Sequence, residues 1–209
     1  MSANVDIAHD TLFPGMLLQI CAQLNILKHR FKVMLNTLQK IHIRDQIKQF
    51  ETLKAIEKKL FADCVEHHVT ILRLTDDVIS IFSKMIFIQY SCSSIILCSS
   101  VYALSQMKPF SPEFIACAVY ILCMFFQIFY ICMSGNRVTL EFSELSAAMY
   151  DTNWYTLTNA GRKNMFIMMM RSLKPIVIAS GHFVTLSLDS FKNLLKLSYT
   201  IYNVFQQSS

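Results

Sequence analysis

Glycine and charge are both scarce in this 209-residue chain. It has only four glycines, where average usage of about 7% would give roughly fifteen. Sheets and phosphate-binding loops usually need more glycine, so the composition favours helices and argues against a nucleotide-binding loop. Charged residues make up 16% of the chain and apolar residues 54%, against about 25% and 45–50% in a typical soluble domain. This balance excludes a disordered chain and disfavours an ordinary soluble enzyme.

Metal-ligand and catalytic patterns are also absent. The seven cysteines show no CxxC or Cys/His spacing, so we expect neither a zinc site nor a disulfide framework and interpret them as small apolar core residues. His67 and His68 are adjacent, which turns their rings about 100° apart on a helix, and Asp76 and Asp77 have the same geometry. We therefore expect a solvated histidine pair. No nucleophile–base pair stands out, and the sequence predicts neither an enzyme nor a bound cofactor.

The net charge of +5 is not a nucleic-acid signature. Eleven of the nineteen Lys and Arg residues lie between positions 28 and 84, and seven acidic residues are interleaved with them. Mixed signs along a helix are typical of a solvated face, whereas a DNA-binding surface would be more one-sided. Apolar residues recur through this stretch at helical spacing, as at Ile43, Ile47 and Phe50, and predict one long amphipathic helix or two.

Two uncharged runs predict membrane helices. Met85–Met107 and Phe114–Asn136 each hold 23 residues without a charge, more than the roughly 20 needed to cross a hydrocarbon core about 30 Å thick. The link between them, Lys108–Glu113, contains two prolines and one basic residue. Because basic loops stay in the cytoplasm, we expect this link outside and the basic segment before it inside. The earlier run Leu12–Leu27 is short for a span and is interrupted by Pro14-Gly15.

The final third of the chain predicts further helices. Residues 141–174 have the pattern of one helix that carries an aromatic cluster at Tyr150, Trp154 and Tyr155. The last helix carries polar residues at steps of three and four, which places them on one face: Asn193, Lys196, Thr200, Asn203 and Gln207. A membrane helix must point such a stripe at protein or at water. From periodicity alone the stripe is either buried against neighbouring helices or lines a pore.

Five short blocks in the C-terminal third form an ordered pattern. They are Ser143–Tyr155, Arg171–Pro175, Ala179–Phe183, Leu186–Phe191 and Leu195–Tyr199. This pattern resembles the insect odorant receptor family, and the order and spacing of the blocks make the resemblance specific. Weaker similarity lies upstream, where Asp10–Phe13 with Ile26–Leu27 resembles the fourth membrane span of that family.

The resemblance implies an all-α membrane protein that works as a channel subunit. Members of the family have seven spans, a cytoplasmic N-terminus and an outside C-terminus. They assemble as tetramers, usually with a shared coreceptor subunit, into odorant-gated cation channels in the plasma membrane of olfactory sensory neurons. The implied partners are thus the odorant receptor coreceptor in a hetero-tetramer, volatile small-molecule odorants and the lipid bilayer, with no nucleic acid.

Placed against the family, the chain corresponds to spans four to seven of the seven-span fold, at roughly 9–27, 79–105, 113–133 and 181–205. We therefore expect a partial sequence. The resemblance divides it into a first remaining span (1–27), a cytoplasmic helical anchor (28–78), two transmembrane helices with a short outside turn (79–136), a cytoplasmic anchor helix (137–174) and a pore-lining C-terminal helix (175–209).

The same placement implies roles for individual residues. The narrow gate of the family's last span falls at Val204, with a second ring at Ser208, and the stripe adds Thr200 and Gln207 as pore-lining candidates. The candidates for the odorant pocket are Phe13, Leu17 and Tyr120. The candidates for packing in the subunit anchor are Tyr150, Trp154, Arg171 and Pro175.

Two alternatives stay open from the sequence. The first is a relative among the gustatory receptors, which share the topology, although the block containing Tyr150 and Trp154 argues against it. The second is a truncated, nonfunctional membrane fragment that could at most associate with full subunits.

Overall fold

The chain is almost entirely helical in the residues that the structure, a computed structural model, describes: 2–44, 50–108, 110–173, 179–180, 184–185 and 187–208. The helices are α1 (Ser2–Arg44), α2 (Phe50–Gln106), α3 (Pro112–Tyr150), a 3-10 turn (Trp154–Thr156), α4 (Asn159–Ser172) and α5 (Leu188–Ser208). Two two-residue strands, β1 (Ala179–Ser180) and β2 (Val184–Thr185), pair antiparallel just before α5. The prediction of a helical protein is confirmed.

Two predicted helix limits are wrong. The single helix expected over 141–174 ends at Tyr150 and resumes as α4. Threonine side chains explain the break, because the Thr152 hydroxyl donates to the Met149 carbonyl and Thr158 caps α4 by accepting from the Gly161 amide. The last helix begins at Leu188 rather than near 181, after a stretch whose β-branched Val184 and Thr185 are extended.

Buried stripes at steps of three and four residues explain why α1 is so long. The helix continues through Pro14, because buried apolar residues follow at helical spacing: Leu17, Ile20, Leu24, Leu27, Phe31, Leu35 and Leu38. The same spacing recurs on α2 at Phe61, Cys64, His68, Ile71 and Thr75, and on α3 at Val138, Phe142, Leu145 and Met149. Stripes with this period are typical of helices packed side by side.

The chain forms two compact units, and α1, α2 and α3 each contribute to both. Unit 1 comprises Met1–Met16, Val78–Asn136 and Val177–Ser209, and unit 2 comprises Leu17–Asp77 and Arg137–Ile176. The core of unit 1 joins α2, α3 and α5 through Leu97, Ile128, Cys132, Phe191 and Leu194. In unit 2 the three stripes supply the core, and Phe31 of α1 meets Phe61 of α2 edge to face with ring centroids 5.9 Å apart.

Two of the described helices, α2 (from Lys54 to Gln106) and α3 (Pro112–Tyr150), are long and apolar enough to cross a bilayer. Few residues of their most apolar windows are buried inside the protein, so most of that apolar surface points outward. α1 and α5 do not meet this criterion of length and composition.

The cysteines are more varied than the sequence predicted. Cys21, Cys64 and Cys132 are buried, as expected of small apolar residues. Cys92 of α2 and Cys123 of α3 are exposed, so the core interpretation is wrong for these two. Both lie on the outward surface of apolar helices, where a cysteine behaves as one more small hydrophobic group.

Candidate functional site

α5 has two distinct faces. Its buried face carries Phe191, Leu194 and Ser198, at steps of three and four residues. Asn193, Lys196 and Thr200 of the predicted polar stripe are all exposed. These three positions of the stripe are thus not buried within the described part of the chain.

Contacts to α2 and α3 hold the buried face of α5. The Phe191 ring packs against Phe125 and Phe129, with centroid distances of 4.9 and 5.3 Å. The Tyr90 hydroxyl donates to the Ser190 carbonyl across 3.1 Å. One turn before this contact, Ser187 caps the helix by accepting from the Ser190 amide. The start of α5 is thereby fixed at a defined place in unit 1.

The four candidate pore residues all lie on α5. Val204 is 58% exposed, and Thr200 is exposed with its hydroxyl bonded to the Lys196 carbonyl one turn back. The side chains of Gln207 and Ser208 lie outside the described residues. Val204 follows Thr200 by four positions, so both lie on the same side of the helix as the polar stripe.

The three candidate pocket residues differ in exposure. Phe13 is 3% exposed and packs in unit 1 with its ring centroid 5.4 Å from that of Phe82. Leu17 is fully buried in unit 2, and Tyr120 on α3 is 47% exposed. Leu17 is thus a core residue of unit 2. A small cavity in unit 1, beside Tyr90, has a volume of about 10 Å³, far below the roughly 300 Å³ of a small-molecule pocket.

The candidate anchor residues lie at the surface of unit 2. Tyr150 and Trp154 stack with ring centroids 6.4 Å apart and are 66% and 36% exposed. Arg171 is exposed in the last turn of α4, and Pro175 lies outside the described residues. Trp154 is thus partly exposed within the single chain, just after the helix break at 151–153.

Glu57 has a role that the sequence did not reveal. It belongs to the interleaved charges that predicted a solvated face, yet it is only 5% exposed. Its carboxylate accepts from the Thr158 hydroxyl at 2.6 Å and from the Thr158 amide at 3.3 Å, at the start of α4. A carboxylate there interacts favourably with the helix dipole, so Glu57 joins α2 to the N-terminus of α4.

A partly buried ion pair joins α1 to α3 in unit 2. The Lys28 ammonium donates to Glu141 at 2.7 Å and to Glu144 at 3.1 Å. Burial lowers the pKa of Lys28, but the hydrogen bonds and charges of the two carboxylates more than offset this, so the net pKa is raised. Lys28 therefore stays charged inside the bundle.

The histidine pair is also placed differently from the prediction. His68 is 3% exposed, which makes the expected solvated pair wrong, and its Nε2 has no hydrogen-bond partner among the described residues. Burial lowers the pKa of His68, and the charge of Arg171 lowers it further. His67 is half-buried, and burial followed by the charge of Arg30 lowers its pKa as well.

The neighbours of His67 fix its tautomer. Its Nδ1 lies 3.3 Å from Arg30 Nη1, and its Nε2 lies 3.2 Å from the Gln23 side-chain oxygen. Arginine only donates, so Nδ1 must accept and the proton of the neutral ring is on Nε2. A second proton on Nδ1 would face the guanidinium directly. Sequence reasoning missed this because adjacent histidines face different helices, here Arg30 of α1 and Arg171 of α4.

Comparisons with known proteins agree on one family. Residues 1–199 match the 7tm Odorant receptor family. Odorant receptor Or1 of Anopheles gambiae is 26% identical over 99% of this chain and 52% of its own length. Odorant receptor 46a, isoform B, of Drosophila melanogaster is 27% identical over 69% of this chain and 39% of its own length. The chain spans about half or less of the length of these curated relatives, and it matches their C-terminal half.

The fold is also found among solved structures. The olfactory receptor OR5 from Machilis hrabei, in complex with eugenol, aligns with a TM-score of 0.80 at 19% identity over 98% of this chain and 49% of that receptor. The family match decides against the gustatory receptor alternative. The chain belongs to the odorant receptor family of insects.

Proposed function

We propose that this chain is the C-terminal part of an odorant-gated cation channel subunit and that α5 lines its pore. The observation that carries the proposal is the two-sided character of α5, whose polar stripe is exposed while the opposite face is buried. Lys196 lies on this stripe, and a lysine facing the middle of a bilayer costs several kcal/mol. In a membrane assembly the stripe is stable when it faces water, as at the axis of a channel.

The direction of α5 supports a four-span arrangement. Tyr90 of α2 contacts Ser190 of α5, and Cys98 lies 3.5 Å from Ser198, Sγ to Oγ. Residue numbers increase together along the two helices at these contacts, which means that α2 and α5 run parallel. Both would then cross the membrane in the same direction, with α3 returning between them. Since the nearly neutral link at 108–113 is expected outside, α5 ends outside as well.

Unit 2 is the candidate for the cytoplasmic anchor. The proposed anchor segments, 28–78 and 137–174, fall almost entirely within Leu17–Asp77 and Arg137–Ile176 of this unit, which also takes in residues 17–27 of the first proposed span. Its exposed surface carries aromatic groups and further apolar residues on α4, which fit contacts with other subunits: Tyr150, Trp154, Phe166, Ile167 and Met170.

The partners follow from this assembly. We propose that the chain acts in a hetero-tetramer with the odorant receptor coreceptor, in the plasma membrane of olfactory sensory neurons, and responds to volatile odorants. Phe13 and Tyr120 stay candidates for odorant contacts within unit 1. Leu17 would act through the packing of α1, since it is fully buried.

A cysteine scan along α5 tests the proposal. The complete receptor that contains this sequence is expressed with its coreceptor, and single cysteines replace Asn193, Lys196 and Thr200. A hydrophilic thiol reagent is expected to alter the odorant-evoked current at these three positions, because their side chains are exposed on the stripe. The matched control is Leu194→Cys, which places the same thiol on the buried face of the same helix.

Modification confined to the stripe supports a pore-lining helix. Equal effects on both faces, or no effect on the stripe, would contradict it. The remaining alternative, a nonfunctional fragment, predicts no odorant-evoked current from any form of the chain that reaches the surface with its coreceptor.

A further inference from the structure

The buried face of α5 holds two polar contacts whose role packing alone does not explain. Tyr90 donates to the Ser190 carbonyl across 3.1 Å, and Cys98 lies 3.5 Å from the Ser198 hydroxyl. Both pairs are partly buried in unit 1, where Ser198 is only 7% exposed. Leucine or phenylalanine could fill the same space without polar atoms. The hydrogen-bonding groups therefore fix the rotation and register of α5 against α2, which apolar packing alone does not.

The two contacts are far enough apart to constrain the position of the whole helix. They lie eight residues apart on α5, which corresponds to about 12 Å along its axis. Between them, Phe191 is held by Phe125 and Phe129, and Leu194 is part of the same core. Any rotation or shift of α5 against α2 therefore has to break or remake both polar contacts.

The neighbourhood of Tyr90 leaves little room for substitutes. The void beside its ring has a volume of about 10 Å³, the lower limit for one water molecule. The Ser190 carbonyl lies in the first turn of α5, so the hydrogen bond from the Tyr90 phenol fixes the N-terminal end of the helix. Removing only the hydroxyl, as in Tyr90→Phe, deletes this contact while keeping the ring that packs in the core.

We propose that these two contacts set the gating equilibrium of the channel and that Tyr90 and Cys98 are positioning residues that determine odorant sensitivity. The inference rests on the proposed role of α5 as the pore helix. Neither residue lies on the polar stripe, so both act on the pore only through α5. Their removal should alter how easily the pore opens and leave which ions pass unchanged.

Single substitutions in the complete receptor with its coreceptor give the first test. Tyr90→Phe and Cys98→Ala are each expected to shift the half-maximal odorant concentration by about threefold to fifteenfold, the range measured for single hydrogen bonds between membrane helices. Cys98→Ser keeps a group that can bond to Ser198 and should restore the normal value. Tyr130→Phe removes the same hydroxyl from an exposed tyrosine of α3 and is the matched control. Permeability ratios should stay constant throughout.

An engineered crosslink gives the decisive test. Ser198→Cys places a second thiol beside Cys98, and copper phenanthroline, as the oxidant, takes two electrons and two protons from the pair to form a disulfide. A protease site is inserted at Ser111, so that cleavage places α2 and α5 on separate fragments. A crosslink then keeps the two fragments together on a gel until a reductant is added. The double variant Cys98→Ser/Ser198→Cys is the control for the other cysteines.

Each outcome decides the inference. A crosslink that abolishes or locks the odorant response, with recovery under reductant, supports it. A crosslink that leaves the response unchanged overturns it, because α5 would not move against α2 during gating. No crosslink also overturns it, because the contact would be absent. If the unmodified receptor gives no odorant current, the proposed function fails, while the crosslink still reports the contact independently.

Discussion

Gly161 is a position at which one added methyl group should have a large and specific effect on stability. A Cβ atom there would lie 1.9 Å from Oε1 and 2.8 Å from Cδ of Glu57. The Glu57 carboxylate would have to leave the N-terminus of α4, where it now accepts from Thr158. We therefore expect Gly161→Ala to destabilise unit 2 although alanine favours helices.

The magnitude follows from opposing contributions. Losing a hydrogen bond to a charged group costs about 1.5–3 kcal/mol, and losing the carboxylate from a helix N-terminus costs about 0.3–1 kcal/mol. Replacing glycine with alanine inside a helix stabilises the helix by about 1 kcal/mol, which offsets part of this loss. The net loss is about 1–3 kcal/mol, which at this chain length lowers the melting temperature by roughly 2–12 °C.

Thermal unfolding of the purified protein in detergent measures this change. The single tryptophan, Trp154, lies in unit 2 near the start of α4 and reports the transition by fluorescence. Gly15→Ala is the matched control, because nothing lies within 4 Å of a Cβ added there, and it should be neutral or slightly stabilising.

A double variant isolates the cause. In a Glu57→Ala background the obstacle is gone, so adding Gly161→Ala should raise stability instead of lowering it. The reasoning is refuted if Gly161→Ala has the same effect with and without Glu57, or if it stabilises the unmodified protein.

Three further predictions concern topology, pH and assembly. A tag at Ser111 should be reached by antibody on intact cells and one at Gln49 should not, and the opposite labelling would reverse the topology. The melting temperature of unit 2 should fall between pH 7.5 and 5.5, because the unfolded histidines take up protons below about 6.5 while burial lowers the pKa of His67 and His68 in the folded state. His68→Leu should make the melting temperature depend less on pH, and an unchanged dependence would exclude His68 as its source. Trp154→Ala should reduce crosslinking to the coreceptor with little effect on the stability of the single chain, because Trp154 is 36% exposed, and unchanged assembly would remove it from the interface.

Helix content and the polar stripe of α5 could be predicted from the sequence because each depends on local periodicity. The uncharged runs that became α2 and α3 are long enough to identify by length alone. The break after Tyr150 could not be predicted this way, since it depends on individual threonine hydroxyls that compete with helical hydrogen bonds.

Side-chain partners across helices were the part that sequence reasoning missed. Glu57 and His68 look like members of a solvated charged face, and their burial depends on which helix packs against each of them. Glu57 lies 101 residues from Thr158, and no local pattern connects them. Leu17 is a further case, because its burial in the core of unit 2 depends on the helices packed against it.

We propose above that α5 lines a pore, and the family resemblance places its constriction at Val204. The direct measurement records currents from the complete receptor with its coreceptor after Val204→Cys and Val204→Ser, next to an unmodified control that accounts for the native cysteines. A thiol reagent should modify Val204→Cys faster in the presence of odorant and reduce the current, because the adduct fills the ring around the axis. Val204→Ser should raise the current without odorant, because a polar ring holds water where an apolar one empties. If Val204→Ser leaves leak, odorant response and ion selectivity unchanged, Val204 does not line the constriction, and the exposed stripe of α5 is a packing surface between subunits.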